Sequence, residues 1–451
     1  MAERIPDIAP GRLAPADYAR NFSDLHPPLE RHEALVEADR CYFCYDAPCQ
    51  QACPTSIDIP LFIREISADN PLGAGLTILH SNIMGGMCAR VCPTETLCEE
   101  ACVREAAEGK PVCIGMLQRY ATDKVMALGR NPFARAPSTG KKVAVVGAGP
   151  AGLSCAHELA HRGHDVTIFE ARPKAAGLNE YGIAAYKTPG GFAQKEVEFI
   201  LGIGGIEIKH GVALGRDIDL ESLKRDYDAV FLGLGLAAVN KLGLTGEAAL
   251  SNVIDAVDYI ANLRQSEDLT TMPVGRRVIV IGGGMTAIDV AVQAKLLGAE
   301  LVTLVYRRGQ EGMKASGYEQ ELAQTHGVLI RTWARPVALE AEEHGAASAM
   351  IFEKTREEGG KLLGTGETFR LEADMVFTAI GQLLTPESFG GEAALQGRDG
   401  RILVDAERRT SAPGVWAGGD CIYGGQDLTV SAVEDGKQAA RSIDAALRAN
   451  A

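Results

Sequence analysis

Eight of the eleven cysteines fall between Cys41 and Cys102, an apolar strand runs into the glycine turn Gly147–Gly152, and the same strand–glycine–helix pattern returns at Arg277. These observations predict an α/β chain. An N-terminal α-helical domain organised by thiolates is followed by two Rossmann-like dinucleotide-binding domains, the second inserted in the first. A length of 451 residues suits several cores, and 46% hydrophobic residues is the share of a soluble globular protein. Glycine, at 51 residues, exceeds its usual share of about 7%. The excess lies in loops after apolar strands, where backbone must come close to a ligand.

A net charge of −14 with no basic stripe argues against nucleic acid as a partner. Met1–Pro28 lacks the positive-then-apolar pattern of a signal peptide, and no run approaches the roughly 18 apolar residues that span a bilayer. The expectation is a cytoplasmic protein without membrane contact, where clustered cysteines favour metal over disulfide.

Residues 1–138 alternate short helical stretches, Leu61–Ile66 and Leu72–His80 among them, with Cys/Pro/Gly loops. They hold too little apolar material for a large core, so metal is expected to help fix the fold. Phe133–Thr139 reads as a linker. Strand Val143–Val146, the glycine turn, helix Leu153–Arg162 and strand Val166–Glu170 then make a βαβ unit. The second unit runs through strand Val278–Ile281, turn Gly282–Gly284, helix Thr286–Leu297 and strand Leu301–Tyr306. Two further apolar strands, Ala229–Gly235 and Met375–Gly381, end in small residues and suit the hand-over between domains. The expected division is a helical domain over 1–138, a flavin-binding domain over 139–243 and 382–451, and a nicotinamide-binding domain over 244–381.

In Gly147-Ala-Gly149-Pro150-Ala151-Gly152 the first glycine permits the tight turn, the second admits a pyrophosphate, and the third lets helix and strand pack closely. The phosphates then rest on the helix N-terminus. Glu170, ending the next strand, is placed to accept hydrogen bonds from an adenosine ribose. Near the C-terminus Val415-Trp-Ala-Gly-Gly419-Asp420 resembles the Gly-Asp pattern that contacts a ribityl chain. The helix from Thr429 then aims its N-terminus at the pyrimidine end of the flavin. FAD is the expected ligand.

The second loop, Gly282-Gly-Gly284-Met285-Thr286-Ala287, carries Ala at the third position, which the fingerprint allows. No acidic residue ends the next strand. Arg307 and Arg308 stand there instead, with Lys314 nearby, and cations at this place could pair with a 2′-phosphate. Either NADH or NADPH remains open. Ala379, Ile380 and Gly381 close the same domain and are counted with the cofactor-contacting positions, as is Val91.

The cysteines read Cys41-x2-Cys44-x4-Cys49-x3-Cys53-Pro54 and Cys88-x3-Cys92-x5-Cys98-x3-Cys102. A zinc site would favour paired CxxC knuckles, and only Cys41/Cys44 makes one. The Cys-Pro ending matches ferredoxin-type runs, so iron–sulfur is expected. Cys155 on the first Rossmann helix is most simply a core residue. No CxxC or Cys-x4-Cys follows the flavin loop, which argues against a disulfide reductase.

With these residues assembled, the whole chain resembles the flavin- and iron–sulfur-bearing subunit of bacterial NAD-dependent dihydropyrimidine dehydrogenase. It is equally similar to the N-terminal half of the fused animal enzyme and, more distantly, to the small subunit of glutamate synthase. Cys41-x2-Cys44-x-Asp46-Ala-Pro-Cys49-Gln-x2-Cys53-Pro-Thr is the most specific part and lies closer to the dihydropyrimidine branch.

The resemblance implies two 4Fe–4S clusters with crossed ligation, one held by Cys41, Cys44, Cys49 and Cys102, the other by Cys53, Cys92, Cys98 and Gln118. It gives Cys88 no ligand role. It places Gly177 and Leu178 by the flavin, with Ala176 where many relatives have glycine. The sequence contains no third domain to hold FMN and a pyrimidine. The resemblance therefore implies an electron-input subunit that oxidises NAD(P)H through FAD and feeds an FMN- and iron–sulfur-bearing catalytic partner reducing uracil or thymine to the 5,6-dihydropyrimidine. Heteromeric assembly, most simply a heterotetramer, goes with it. The alternative partner is that of a glutamate synthase small subunit. No acid–base catalytic residue is expected in this chain.

Overall fold

The computed structural model describes residues 7–341, 345–385, 395 and 397–449. Residues 386–394 and 396, within the expected return segment 382–451, lie outside the described residues. The chain divides into two compact units.

The larger unit comprises residues 26–180, 190–238 and 383–451. Its cysteine-bearing part is a set of short helices, among them Ile59–Ser67 and Pro71–Ser81. Both begin where the sequence allows little else. Asp58 and Asn70 cap them by accepting the Leu61 and Gly73 N–H at 3.0 Å each, and each has a proline in its first turn. A small core of Phe62, Ile63, Ile66, Ile78 and Leu117 lies beneath, with Cys41, Cys49, Cys53, Cys98 and Cys102 packed against it.

The rest of this unit is a five-stranded parallel sheet in the order Val415–Ala417, Ala229–Leu232, Lys142–Val146, Asp165–Glu170, Ile206–His210. Its first strand comes from the C-terminal segment, so the domain is completed only after the insertion. Helices Pro150–His161 and Thr429–Ala449 pack closely; a Cβ on Gly436 would overlap the Ala151 carbonyl oxygen.

The smaller unit comprises residues up to Leu25, Tyr181–Pro189 and Val239–Gln382. Its parallel sheet runs Val328–Arg331, Leu301–Val305, Arg277–Ile281, Met375–Thr378, Val253–Asp255. A three-stranded antiparallel meander, Ala334–Ala341, Ala347–Glu358 and Lys361–Glu372, follows Val328–Arg331 in the chain and packs Met350 and Phe352 against Ile279, Ile281 and Val305 of that sheet.

Two segments differ from the division drawn on the sequence. Residues up to Leu25 group with this unit and not with the cysteine-bearing helices. Ile8–Ala9 pairs with Val274–Gly275, and Tyr18 and Phe22 enter its core. Tyr181–Pro189 joins it too, anchored by Lys187, whose buried ammonium lies 2.7 Å from both Asp289 and Glu319. Both segments are placed by contacts with residues distant in sequence, although the first also forms the short helix Pro15–Asn21. No helix among the described residues is long and apolar enough to cross a membrane.

Candidate cofactor sites

All eleven cysteines are free thiols. Cys41, Cys44, Cys49 and Cys102 line one cavity, walled by Pro48, Ile59, Ile63 and Val112. The chain reaches this arrangement through left-handed backbone at Phe43 (φ 51°) and Ala47 (φ 40°). A non-glycine residue there costs on the order of 1 kcal/mol or more, a cost that persists at functional sites. Burial raises the Cys41 thiol and pushes Cys49 up to about 12, so neither ionises near neutrality without a cation beside it.

Cys53, Cys92 and Cys98 form a second group. The Cys92 thiol is raised first by its hydrogen bond with Cys88, then by burial and by Cys98 and Cys53; Cys98 is raised by burial, then by Glu99, Cys53 and Cys49. Cys49 lies in the single helical turn Pro48–Ala52 and Cys53 directly follows it, so one short helix serves both groups. Gln118 is buried, and its Nε2 donates to the Gly85 carbonyl at 2.7 Å, which leaves Oε1 as the atom able to bind iron. Cys88 lies buried one turn before Cys92.

Among the described residues no three His, Cys, Asp or Glu close in tightly enough for a single metal ion. The donor sets fit iron–sulfur.

At the first glycine loop the three glycines have separate reasons. A Cβ on Gly147 (φ 97°) would overlap the Gly233 carbonyl oxygen, and one on Gly152 would overlap that of Gly147. A Cβ on Gly149 would meet nothing closer than Gly177 Cα at 3.9 Å. Only the middle glycine keeps open a space the protein itself does not fill. Pro150 and Ala151 then open the helix, which has no side-chain cap. Glu170 is buried and receives the N–H groups of Ala148 and Arg172 at 2.8 Å each. This fixes its carboxylate while leaving lone pairs for a ribose.

Gly419 (φ 79°) donates to Asp435 at 2.9 Å. Asp420 is pushed up to about 7 by burial and then by Asp427, and no described residue donates to its carboxylate. Thr429 begins the last helix, and its hydroxyl bonds Asn179 at 2.7 Å. Leu178 opens the short turn Leu178–Tyr181 after Gly177, and Val91 ends helix Gly85–Val91 half-buried against the domain core. The FAD fit is therefore a cradle bounded by Gly149 and a polar set around Asp420.

The second loop repeats the pattern. A Cβ on Gly282 would overlap the Ala379 carbonyl oxygen, whereas one on Gly284 would meet nothing within 4 Å. Met285 and Thr286 begin helix Met285–Leu296, and Ala287 is fully buried. Tyr306 covers Gly283 and is fixed by its hydroxyl on the Gly312 carbonyl at 2.6 Å. The backbone carbonyls of Arg307 and Arg308 accept from Thr355 and Trp333 at 2.7 and 3.0 Å. The side chains of Arg307, Arg308 and Lys314 pair with no described residue. Ile380 and Gly381 are held through their carbonyls by Asn240 at 3.2 and 3.1 Å.

Three residues of these sites escape sequence reading. Asp435 and Asn179 sit in ordinary helical or turn sequence. Glu196, pushed up to about 8 by burial, accepts the Met87 N–H at 2.8 Å and so caps the helix leading to Cys92. None carries a motif; only the fold brings them to the sites.

Two family models match the chain. Residues 18–130 match the dihydropyrimidine dehydrogenase domain II, 4Fe-4S cluster family, and residues 141–436 match the pyridine nucleotide-disulphide oxidoreductase family. The NAD-dependent dihydropyrimidine dehydrogenase subunit PreT of Salmonella typhimurium is 36% identical over 425 residues, 94% of this chain and 97% of that one. The glutamate synthase (NADPH) small chain of Escherichia coli K12 is 34% identical over 444 residues, 94% and 93% of the two chains. Among solved structures, FprA from Mycobacterium tuberculosis in complex with NADPH aligns with a TM-score of 0.58 at 18% identity, covering 70% of this chain and 85% of that one, a likeness of fold. The chain belongs to the pyridine nucleotide-disulphide oxidoreductases that carry an N-terminal 4Fe–4S domain, in the family of the PreT subunit of NAD-dependent dihydropyrimidine dehydrogenase.

Proposed function

We propose that this chain is the electron-input subunit of a dihydropyrimidine dehydrogenase. It takes a hydride from NAD(P)H and delivers single electrons, through FAD and two 4Fe–4S clusters, to an FMN-bearing partner that reduces uracil or thymine. The observation that carries this reading is the sorting of seven cysteines into two groups, one around Cys41 and one around Cys92, in the same compact unit as the first glycine loop.

Bound cofactors supply the change from hydride to single electrons. The chain's residues supply the rest. Gly149 and the uncapped helix behind it receive a pyrophosphate, Glu170 a ribose and Asp420 the ribityl chain. Gly284 and the helix from Met285 receive the nicotinamide cofactor's pyrophosphate. The three unpaired cations Arg307, Arg308 and Lys314 favour one with a 2′-phosphate. Cys41, Cys44, Cys49 and Cys102 hold one cluster in an apolar cavity, and Cys53, Cys92, Cys98 and Gln118 hold the other. Its place is the cytoplasm, in a heterotetramer with the partner.

Similarity to the glutamate synthase small chain favours a second reading with a different electron acceptor. Purification of the chain with its native partner separates the two. Uracil-dependent oxidation of NADH or NADPH supports the first. Turnover that instead requires glutamine and 2-oxoglutarate removes it and leaves the second.

A further inference from the structure

Helix Ile114–Met126 presents Gln118 one turn from its start, and Cys113 at its head supplies no side-chain cap. The first N–H groups of a helix have no partner within it. Here carboxylates distant in sequence take them. Glu37 accepts the Cys113 N–H at 2.8 Å, and Glu99 accepts the Gly115 N–H at 3.0 Å together with that of Ile114.

Glu99 directly follows Cys98 in the chain. Its own N–H donates to the Thr94 carbonyl at 2.9 Å, and its carboxylate also takes the Thr94 hydroxyl, so the residue is tied at both ends. A Cβ on Gly115 would meet Thr94 Cγ2 at 3.2 Å, so the Cys98 segment and the helix are in contact as well as bonded. Gly115 and Gln118 stand three residues apart, on one face of that helix. Gln118 is fixed separately by its Nε2, which donates to the Gly85 carbonyl at 2.7 Å. The amide is thus held at its nitrogen, and the helix that carries it is held from the segment that carries Cys98.

We propose that Glu99 is a positioning residue for the second cluster: by capping helix Ile114–Met126 it locks the Gln118 helix to the Cys98 segment, so that amide oxygen and thiolate are offered to one cluster together. This rests on Gln118 as a ligand of that cluster. Residues that orient a ligand control metal binding alongside the ligand itself. The cap needs an acceptor oxygen and not a charge, so a glutamine at 99 serves in place of the glutamate.

The test uses the full chain, purified anaerobically with its clusters, and reads iron content and Mössbauer spectra. An iron held by an amide oxygen differs in spectrum from irons held by thiolates. That signal is expected in the wild type and in Glu99→Gln, and its loss is expected in Glu99→Ala and in Gln118→Ala. Adding Glu99→Ala to Gln118→Ala should change nothing further, because Glu99 acts through Gln118. Should Glu99→Ala fail to fold, Glu99→Met fills similar space without an acceptor and carries the same readout. Persistence of the oxygen-held iron without an acceptor at 99, its loss in Glu99→Gln, or a further spectral change in the double variant overturns the proposal. A wild-type chain with both clusters and no oxygen-held iron removes Gln118 as a ligand, and this inference with it. A wild-type chain that holds no cluster defeats the functional reading first.

Discussion

Replacing Gly149 and Gly152 by alanine, one at a time, separates a ligand-imposed glycine from a packing-imposed one. At Gly152 the added Cβ overlaps the Gly147 carbonyl oxygen and also comes within 3.2 Å of Val145 Cγ1. Neither backbone nor strand can move away without opening the sheet, so Gly152→Ala should destabilise the apoprotein by about 2 kcal/mol or more, in the range of overpacked cores. At Gly149 the backbone has φ −76° and the new methyl faces open space, with 3.9 Å to its nearest neighbour. Alanine adopts that conformation freely, so apoprotein stability should hold or rise by up to about 1 kcal/mol through a less flexible unfolded chain.

On the proposed binding of FAD at this loop, the methyl at 149 would occupy the approach of its pyrophosphate. Losing one or two charge-assisted hydrogen bonds at about 1.5–3 kcal/mol each weakens FAD binding by at least about tenfold. Urea unfolding of the apoprotein and a fluorescence titration with FAD give the two numbers. An unstable Gly149→Ala apoprotein, or one that binds FAD as the wild type does, would refute this reasoning.

Ala176 stands at φ 85°, a strained conformation for a residue with a Cβ, so Ala176→Gly should raise the unfolding free energy measured in urea by roughly 0.5–1 kcal/mol after glycine's own entropy is set against the strain relieved. Arg307→Ala should raise the KM for NADPH about tenfold and leave that for NADH nearly unchanged; equal effects on both would remove the 2′-phosphate contact. Burial and then His161 hold the His157 imidazole down to about 4 from an ordinary 6.5. The unfolded chain therefore binds a proton that the folded one refuses, and stability present above pH 6.5 is lost as pH falls toward 4. The loss reaches up to about 3 kcal/mol for this one group. His157→Gln should flatten that part of the apoprotein's stability–pH curve, and an unaltered slope would assign it elsewhere.

Both glycine loops are legible in the sequence because their requirements are local, and the close approaches recur in parallel: Gly147 against Gly233, and Gly282 against Ala379. The thiolate runs are legible for the same reason, since spacing along the chain constrains how neighbouring cysteines can share a cluster. What stays hidden is tertiary. Nothing in Ile8–Ala9 announces a partner at Val274–Gly275, and nothing in Tyr181–Pro189 announces that Lys187 will meet Asp289 and Glu319. Asn179 and Asp435 become visible only through what their side chains touch. Cys88, without a role by resemblance, turns out to contact Cys92, a relation that three-residue spacing on a helix allows but does not demand.

Whether Cys102 completes the cluster begun by Cys41 is read from iron content and low-temperature EPR of the anaerobically purified, chemically reduced chain and its Cys102→Ser variant. Two clusters predict about eight iron atoms per wild-type chain and two distinct signals. Cys102→Ser should abolish or alter the signal that Cys41→Ser also affects and leave the one that Cys98→Ser affects. A wild-type chain with about four iron atoms would rule out a second cluster, and a Cys102→Ser variant that loses the signal tied to Cys98 would rule out crossed ligation.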